Sequence, residues 1–371
     1  MRVAIDARGI SSQHRGVGRT TVNLLLGLSQ RASDLEFVVF HTDPYLPLLL
    51  KRAGGPFKGR FDWIQVRSPV GSVTERVEIP WLVRLHRVDL FHDIWGIGPN
   101  LRRARSVATI HELEFLHFKD ASRNSNRIRK VLRRSQLVVA LTEAIAQEIE
   151  SNLHISRPKI RVVPGTVHPC FFERATEEEV RAMRGRFNLT GSYYLCVSGS
   201  RQSKNLNSLL EIATPAIPVV LALQWEQIAH GQGYDLAAWK TAQESGAFRF
   251  LGTVEDFWLR ALYAKAEGLI IPSFYEGFSL AAVEGLACSC LPVLSDIPSH
   301  RNLFGDTRGL EALFFDPKVQ GDLRAATERV RIAGNSLKTV VLEKFRELCH
   351  RYAVNDVADR MQQVYREAAE L

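Results

Sequence analysis

Two glutamates separated by seven residues, Glu276 and Glu284, are the side chains best placed to do chemistry. They lie in the segment PSFYEGFSLAAVEGLACSCLPVLSDIPSHRNLFGD, residues 272–306. If both stood on one helix, a rise of about 1.5 Å per residue would separate them by about 12 Å. The paired carboxylates of glycosidases lie about 5–5.5 Å or about 6.5–9.5 Å apart. The spacing therefore argues against a glycosidase pair and favours contacts with the two ends of one extended ligand.

The elements around these glutamates also predict a phosphate site. An apolar run at 269–271 predicts a buried strand, and a helix is predicted from Gly277 to about Ala287. The free amides at the start of a helix suit phosphate. Here these amides would belong to Phe278, Ser279 and Leu280.

Glu284 allows two interpretations. It is either a carboxylate on the surface of a helix or, because its neighbours are apolar or small, a buried carboxylate. A buried carboxylate requires hydrogen-bond donors. The two hydroxyls of a ribose would supply them.

These residues must be positioned by regular elements, and short β-branched runs alternate with helix-period segments along much of the chain. This alternation predicts an α/β fold with parallel sheets. The predicted strands lie at 3–5, 37–40, 88–91, 107–110, 137–141 and 160–163, and then at 193–197, 219–223, 248–251, 269–271 and 291–294.

The strand pattern restarts once, which predicts two Rossmann-like domains, the number also expected for 371 residues. Two such domains facing each other would surround one cleft with the carboxyl ends of their strands, where open α/β sheets bind ligands. The predicted divisions are an N-terminal domain at 1–168, a linker at 169–192, a C-terminal domain at 193–354 and a final helix at 355–371. The final helix could pack back on the N-terminal domain.

Composition excludes several other classes of protein. The longest apolar runs are too short for a membrane span, and the amino terminus has no apolar signal-peptide region, so we expect a cytoplasmic protein. The five cysteines show no Cys-x-x-Cys spacing, which predicts reduced core residues rather than disulfides or a zinc site.

The net charge of +8 is unevenly distributed, since residues 1–168 hold 26 Lys/Arg against 15 Asp/Glu. Ten of these basic residues lie in 101–134, where Ile128, Val131 and Leu132 stand among them. A helix of this kind suits an anionic membrane face. The alternatives are a solvated helix face and a groove for an anionic acceptor. Nucleic acid is not expected, because no nucleic-acid fold or aromatic platform accompanies the charge.

Four further segments complete a family pattern: RGVGRTTVNLL at 15–25, IHEL at 110–113, GSRQSKNL at 199–206 and LGTVEDFWLRALYAKAEGLIIPS at 251–273. With Glu276 and Glu284, they resemble, over most of the chain, the retaining glycosyltransferases of family four (glycosyl transferases group 1). The first two segments are similar to the bacterial mannosyltransferase-like branch that builds O-antigen and other surface polysaccharides. The resemblance implies a GT-B fold, with an acceptor-side N-terminal domain and a C-terminal domain that binds a nucleotide-sugar.

The resemblance also implies roles for the polar residues of the C-terminal domain. Glu276 would bond hydroxyls of the donor hexose, and Glu284 would hold the ribose. Arg201 and Lys204 would neutralise the diphosphate as the nucleotide departs; a solvated loop is the alternative for these two. Val254 would approach the base through its backbone.

In the N-terminal domain the resemblance places His111 beside the donor sugar, at the end of a predicted strand. Its implied role is hydrogen bonding and electrostatic support of an oxocarbenium-like transition state, while the donor phosphate takes the acceptor proton. A structural histidine is the alternative. Gly16 and Gly18 would let a loop approach the donor phosphate and acceptor. An NAD fingerprint is not supported, because the loop is too long and Thr21 occupies the third glycine position.

Neither metal nor cofactor is expected. No Asp-x-Asp occurs, and Glu112 and Glu114 are interpreted as loop carboxylates. The expected substrates are a nucleotide-sugar, with GDP-mannose or a related donor favoured and UDP-sugars second, and a growing polysaccharide or lipid-linked glycan. The segment 101–134 would give peripheral contact with the inner face of the plasma membrane. A nucleotide-sugar epimerase and a non-catalytic nucleotide-sugar-binding protein are the competing hypotheses.

Overall fold

A computed structural model describes residues 1–10, 16–31, 34–54, 60–101, 104–118, 125–304 and 307–371. Within these residues the chain divides into two compact units. The first comprises Met1–Val167 with Arg351–Leu371, and the second is His168–His350. Each unit is built on a parallel sheet with intervening helices, so the predicted α/β class is confirmed.

The described residues of the first unit form a sheet of seven strands in the order β3-β2-β1-β4-β5-β6-β7, all paired in parallel. The strands are β1 (Arg2–Asp6), β2 (Glu36–His41), β3 (Arg60–Gln65), β4 (Leu90–Asp93), β5 (Arg105–Ile110), β6 (Leu137–Ala140) and β7 (Ile160–Val162). The helices between them are α1 (Val17–Gln30), α2 (Leu46–Gly54), α3 (Glu75–Leu85), α4 (Ser125–Arg134) and α5 (Glu143–Leu153).

Alternate residues of these strands enter two different cores, as the period of two requires. Val3 and Ile5 of β1 pack in one core with α1 and α2. Ala4, between them, packs in the other core with Ile79 and Leu82 of α3.

The second unit has, among its described residues, six parallel strands in the order β10-β9-β8-β11-β12-β13. They are β8 (Tyr194–Cys196), β9 (Val219–Leu221), β10 (Phe248–Phe250), β11 (Gly268–Ile271), β12 (Pro292–Ser295) and β13 (Phe314–Phe315). The helices are α6 (Glu177–Phe187), α7 (Trp225–Ala229), α8 (Leu236–Glu244), α9 (Asp256–Lys265), α10 (Leu280–Ala287), α11 (Pro298–Asn302) and α12 (Asp322–Leu348), the last interrupted at Gly334.

The carboxyl-terminal helix α13 (Val354–Glu370) belongs to the first unit. Its residues Val357, Met361 and Tyr365 lie in the same core as β1 and α1. The Tyr365 hydroxyl also lies 2.8 Å from Nδ1 of the buried His92, on β4. The chain therefore returns to its first sheet after completing the second unit.

Three of the five cysteines are buried, and all five are free thiols. Cys196, Cys288 and Cys290 are buried, whereas Cys170 and Cys349 are half-buried. The prediction of reduced residues is confirmed, and the prediction of a core position is confirmed for three.

Candidate active site

The strand order of the second sheet creates a switch point between β8 and β11. From β8 the chain proceeds to one side of the sheet, through β9 and β10, and from β11 it proceeds to the other. Ligands of open α/β sheets bind outside the carboxyl ends of the strands at such a point. The loop after β8 carries Arg201 and Lys204, and the loop after β11 carries Glu276. The fold thus brings three predicted residues to the expected edge.

Hydrogen bonds connect these two loops. Lys204 ends a short 3-10 turn (Gln202–Lys204), and the neighbouring Ser203 accepts a backbone bond of 2.7 Å from Phe274 in the other loop. Ser295, at the end of β12, donates from its hydroxyl to the Ser273 carbonyl over 2.5 Å. Three consecutive sections of the sheet edge are therefore fixed to one another.

Lys204 and Glu276 form an ion pair in which Nζ lies 3.0 Å from Oε1. Their side chains are only 9% and 16% exposed. The Ser273 hydroxyl donates a second bond to the same carboxylate oxygen, at 2.7 Å. Burial on its own would raise the pKa of Glu276, but the charge of Lys204 and the bond from Ser273 outweigh it and hold that pKa below its ordinary value. Glu276 is therefore an ionised acceptor at neutral pH. Arg201 is exposed at the start of the same turn.

The helix after Glu276 begins later than predicted. It starts at Leu280, with Ser279 as its N-cap, rather than at Gly277. Phe278 is buried and precedes the cap, so its amide is not one of the first amides of the helix. The backbone carbonyl of Ser279 accepts bonds from Ala282 and Val283, which closes the first turn. Of the three predicted phosphate-binding amides, only that of Leu280 belongs to the helix itself.

His300 is a site residue that the sequence analysis missed. It is fully buried on α11, and its Nδ1 lies 2.8 Å from the Ser295 carbonyl oxygen. Its Nε2 lies 3.2 Å from Ser279 Oγ. Because a carbonyl only accepts, Nδ1 carries the proton and Nε2 accepts from the Ser279 hydroxyl. Burial lowers the pKa of His300, although the charge of Glu276 opposes this. A serine that ends β12, five residues before a histidine, was the available signal.

Glu284 is buried in α10, with 1% of its surface exposed, so the interpretation as a surface carboxylate is wrong. A protein group supplies one of the donors it requires, since the Tyr263 hydroxyl of α9 lies 3.0 Å from its Oε2. Glu276 stands outside the helix that carries Glu284. The separation of about 12 Å, which assumed eight helical residues, therefore does not apply.

His111 follows β5 in the first unit, at the carboxyl edge of that sheet. Its ring forms a bond with the backbone of Ile94, and its Nε2 is buried without a hydrogen-bond partner in the described chain. Burial lowers the pKa of His111 to about 4, although Glu112 acts in the opposite direction. With Thr20, Thr21 and other residues it lines a cavity of about 30 Å³. His111 is thus a neutral imidazole at physiological pH.

Most of the segment predicted as a glycine-rich loop belongs to helix α1, which begins at Val17. Gly16 is the N-cap of α1, and Gly18 lies in the first turn of the helix rather than in a loop. Arg15 lies outside the described residues. Gly16 has φ 53°, a conformation that favours glycine, and a side chain there would meet nothing within 4 Å. Within the chain, Gly16 therefore serves the backbone turn into α1.

Val254 is half-buried in the loop between β10 and α9. This loop also follows the carboxyl end of a strand, two strands away from β8. Among the described residues, the one group of three metal-ligating side chains near enough to share an ion is His168, Cys170 and Asp256, which includes no predicted site residue.

The last ten residues of the basic stretch form helix α4, whose apolar residues face the protein. Ile128, Val131 and Leu132 are buried, so they are not available to a bilayer. Lys130 and Arg133 are exposed. Arg102, Arg103, Lys119 and Arg123 lie outside the described residues. Any contact of α4 with an anionic surface would therefore depend on charge. None of the helices in the described parts of the chain combines the length and apolar character needed to cross a bilayer.

Comparison with known proteins extends over most of the chain. Residues 14–169 match Glycosyltransferase Family 4, and residues 192–331 match glycosyl transferases group 1. The chain is 24% identical over 330 residues to the O-antigen chain mannosyltransferase B of Escherichia coli, covering 82% of this chain and 85% of that protein. It is 24% identical over 310 residues to the GDP-mannose:cellobiosyl-diphosphopolyprenol alpha-mannosyltransferase of Xanthomonas oryzae, covering 80% of this chain and 76% of that protein.

A glycosyltransferase structure from Rickettsia africae superposes with a TM-score of 0.74 at 14% identity, covering 99% of this chain and 98% of that chain. Likeness at this identity shows the fold, which is GT-B. The two family matches lie on the two Rossmann-like units that carry the predicted motifs. The chain is therefore a glycosyltransferase that belongs to family four, group 1, and its relatives include bacterial mannosyltransferases.

Proposed function

We propose that the protein is a retaining, metal-independent hexosyltransferase that moves mannose from GDP-mannose to a growing cell-surface polysaccharide or lipid-linked glycan. The observation that carries this proposal is the Lys204–Glu276 ion pair at the switch point of the second sheet. The mannosyl donor is supported by two relatives named as mannosyltransferases, one of which is named for GDP-mannose. A UDP-sugar is the second choice of donor.

The diphosphate of the donor would bind at Arg201 and Lys204. As the glycosidic bond breaks, negative charge develops on the departing nucleotide, and fixed cations stabilise it without reorganisation. The start of α10, at Leu280, adds the partial positive charge of a helix N-terminus. Ser279 would hold this start in place through its bond to His300. Two cations and a helix terminus neutralise a diphosphate, so a divalent cation is not required.

The hexose would bind at Glu276, which is ionised and therefore accepts hydrogen bonds from sugar hydroxyls. Lys204 would exchange part of its interaction with Glu276 for the phosphate. In this mechanism no enzyme carboxylate attacks the sugar, and the leaving phosphate takes the proton of the acceptor on the face it has just left. That geometry retains the configuration of the sugar.

The nucleoside would extend from the diphosphate towards Glu284 and Val254. One oxygen of Glu284 already accepts from Tyr263, which fixes the carboxylate for a ribose hydroxyl. The half-buried Val254 would offer backbone groups to the base. In the first unit, His111 would support the sugar as a neutral hydrogen-bonding group rather than as a cation, because its pKa is lowered to about 4. Gly16 would set the start of α1 on the acceptor side.

The test is turnover of GDP-mannose in the presence of EDTA, with a polyprenyl-linked oligosaccharide as acceptor and NMR of the anomeric proton of the product. We expect release of GDP and a product with the anomeric configuration of the donor. Glu276→Ala should lose roughly 10- to 200-fold in kcat/KM, the equivalent of about 1.5–3 kcal/mol from one charge-assisted contact. Glu347→Ala, at an exposed position of α12, is the matched control.

Three outcomes would contradict the proposal. Turnover that is unchanged in Glu276→Ala would remove the site assignment. Release of an epimerised nucleotide-sugar without acceptor would identify an epimerase, and nucleotide binding without turnover would identify a binding protein.

A further inference from the structure

Three side chains of the second unit bring metal-ligating atoms together. A ring nitrogen of His168, the sulfur of Cys170 and a carboxylate oxygen of Asp256 all lie within 4.8 Å of one another. His168 is the first residue of the unit, Cys170 lies in a 3-10 helix (Pro169–Phe172), and Asp256 opens α9. The fold therefore gathers these atoms from two separate segments of the chain.

The chemistry of this set points to zinc. Thiolate and imidazole ligands favour zinc over magnesium and calcium, which prefer oxygen, and a carboxylate is also a common zinc ligand. Around a tetrahedral zinc ion with bonds of about 2.0–2.3 Å, neighbouring ligand atoms stand about 3.3–3.7 Å apart. The atoms of this cluster therefore need to approach by no more than about 1.5 Å, which rotation of half-buried side chains can provide.

Two hydrogen bonds hold the backbone of the cluster in place. Arg260, one turn after Asp256 on α9, donates to the Cys170 carbonyl over 3.3 Å. The Phe171 carbonyl accepts from the thiol of Cys288 over 3.4 Å, and the Phe171 side chain is buried. The 3-10 helix is thus fixed to α9, which carries Asp256, and to the C-cap of α10. A metal ion would find its ligands on a backbone that the protein has already ordered.

His168 has the tautomer that a metal requires. Its Nδ1 accepts a bond of 3.3 Å from the backbone nitrogen of Cys170, so Nδ1 carries no proton. This bond is long for a hydrogen bond. A zinc ion at Nδ1 would take its place, and the amide of the half-buried Cys170 can bond water instead.

We propose that the second unit binds one zinc ion through Nδ1 of His168, the thiolate of Cys170 and the carboxylate of Asp256, with water as the fourth ligand. As the sulfur–zinc bond forms, the thiol releases its proton to solvent. The ion connects the first residues of the unit to the start of α9, and because it binds the folded chain it stabilises that state.

This site differs from those that the sequence was searched for. The cysteine spacing predicts no zinc site, since no Cys-x-x-Cys occurs. The present set contains a single cysteine, and Asp256 joins it only through the packing of α9 on the 3-10 helix. The cluster shares no residue with the Lys204–Glu276 pair, so sugar transfer is still expected to proceed without a metal ion.

The test is a titration of the full chain with cobalt and then with zinc, after treatment with EDTA and removal of the chelator. We expect a thiolate-to-cobalt charge-transfer band and the intense d–d bands of a four-coordinate ion, both saturating at about one equivalent. Zinc should displace the cobalt, abolish both sets of bands and raise the thermal midpoint.

Each ligand has a conservative substitution. Cys170→Ser should abolish the charge-transfer band. His168→Gln and Asp256→Asn should each weaken zinc binding at least about tenfold, measured by competition with a chromophoric chelator. In EDTA, Cys170→Ser and Asp256→Asn should unfold close to the midpoint of the wild type in EDTA, which checks that their fold is kept.

Cys349→Ser is the matched control, because Cys349 is also a half-buried free thiol but lies outside the cluster. It should bind cobalt with the same charge-transfer band and zinc with the same Kd as the wild type. A band that disappears in Cys349→Ser as it does in Cys170→Ser would indicate scattered binding to thiols and contradict the proposal.

The proposal is overturned if cobalt gives no charge-transfer band, or if His168→Gln and Asp256→Asn bind zinc as tightly as the wild type. Turnover of GDP-mannose in EDTA is measured in parallel. Turnover without zinc binding would contradict this proposal alone. Zinc binding together with turnover that EDTA abolishes would support the zinc site and contradict metal-independent transfer.

Discussion

The ammonium nitrogen of Lys204 lies 3.0 Å from Oε1 of Glu276, although the two residues follow different strands of the second sheet. The pair places one cation and one anion beyond the carboxyl ends of the adjacent strands β8 and β11. A nucleotide-sugar has the complementary groups, with phosphate oxygens for the cation and sugar hydroxyls for the carboxylate. Within the fold, each of these two side chains also neutralises the charge of the other.

Removing one member of this pair should therefore cost more than removing both. Lys204→Met or Glu276→Gln leaves a largely buried polar group unpaired, which we expect to lower the free energy of unfolding by about 1–3 kcal/mol. A double-mutant cycle by urea denaturation should give a coupling energy of about 1 kcal/mol or more. The exposed pair Lys240–Glu244, with its 3.9 Å separation, is the control and should couple by less than about 0.5 kcal/mol. Equal coupling in the two pairs would contradict the importance of burial.

Tyr263→Phe should affect both stability and nucleotide binding. It removes the donor to the buried carboxylate of Glu284, at an expected cost of about 1–3 kcal/mol in the free energy of unfolding. If Glu284 holds the ribose, the Kd for nucleotide rises as well. Tyr193→Phe is the control, because the buried Tyr193 hydroxyl donates to the Leu262 carbonyl at 2.9 Å. It should destabilise the protein without changing the Kd measured by calorimetry, and equal Kd values for both variants would exclude Glu284 from the ribose site.

Gly27→Ala should displace helix α13 from the first unit. A side-chain carbon at Gly27 would stand 2.1 Å from the Val354 carbonyl oxygen, where no real contact is tolerated. We expect a loss of at least about 1–3 kcal/mol in the free energy of unfolding, as for overpacked cores. Gly185→Ala in α6 meets nothing within 4 Å and should be neutral or stabilising by up to about 1 kcal/mol. Urea denaturation of both variants distinguishes a packing effect from a general effect of alanine. A tolerated Gly27→Ala would contradict the close contact between α1 and α13.

Stability should fall between pH 7.5 and pH 5. Burial lowers the pKa of His92 from 6.5 to about 3, so the unfolded chain binds a proton in this range and the native protein does not. The stability contributed by neutral His92 is complete above pH 6.5 and is lost progressively as the pH falls towards 3. At pH 5 the loss from this residue is about 2 kcal/mol.

Urea denaturation at both pH values measures this loss. His92→Gln should reduce the difference in the free energy of unfolding between pH 7.5 and pH 5 by about 2 kcal/mol. His230→Gln, at an exposed position, should leave it unchanged. The buried His111, whose pKa is lowered to about 4, should keep part of the difference in His92→Gln. A difference that His92→Gln leaves undiminished would contradict the role assigned to His92.

The strands that sequence could predict are those with continuous apolar runs. The eleven predicted runs correspond to strands of the two sheets, because buried parallel strands require apolar residues on both faces. Two strands were missed. In β3, RFDWIQ mixes charged and apolar residues because it is an exposed edge strand, and β13 has only two residues. The Thr176-x-x-Glu179 signature marks the start of α6, since both bonds of the capping box are present.

The candidate site was predictable where a residue lies in the loop that follows a strand. Lys204 and Glu276 lie at the expected sheet edge for this reason. His300 was missed because the spacing of Ser295 and His300 does not by itself reveal the contacts of His300 with Ser295 and Ser279, which depend on the sheet order. The start of α10 was misplaced because Gly277, a poor helix former, was taken as the first residue of the helix, whereas Ser279 is the residue that caps it. The sequence could not show whether the apolar side of α4 faces the protein or the solvent. It shows that apolar residues share one side of the helix but not what covers them.

The central claim, a metal-independent nucleotide site at the switch point of the second sheet, is tested most directly by titrating GDP, UDP, dTDP and ADP in EDTA and measuring thermal stability. We expect GDP to stabilise the protein by about 2.7 kcal/mol at 100 times its Kd, equally with and without EDTA, and to do so less in Lys204→Met. No change in thermal stability with any of the four nucleotides, or stabilisation that requires a divalent cation, would contradict the claim.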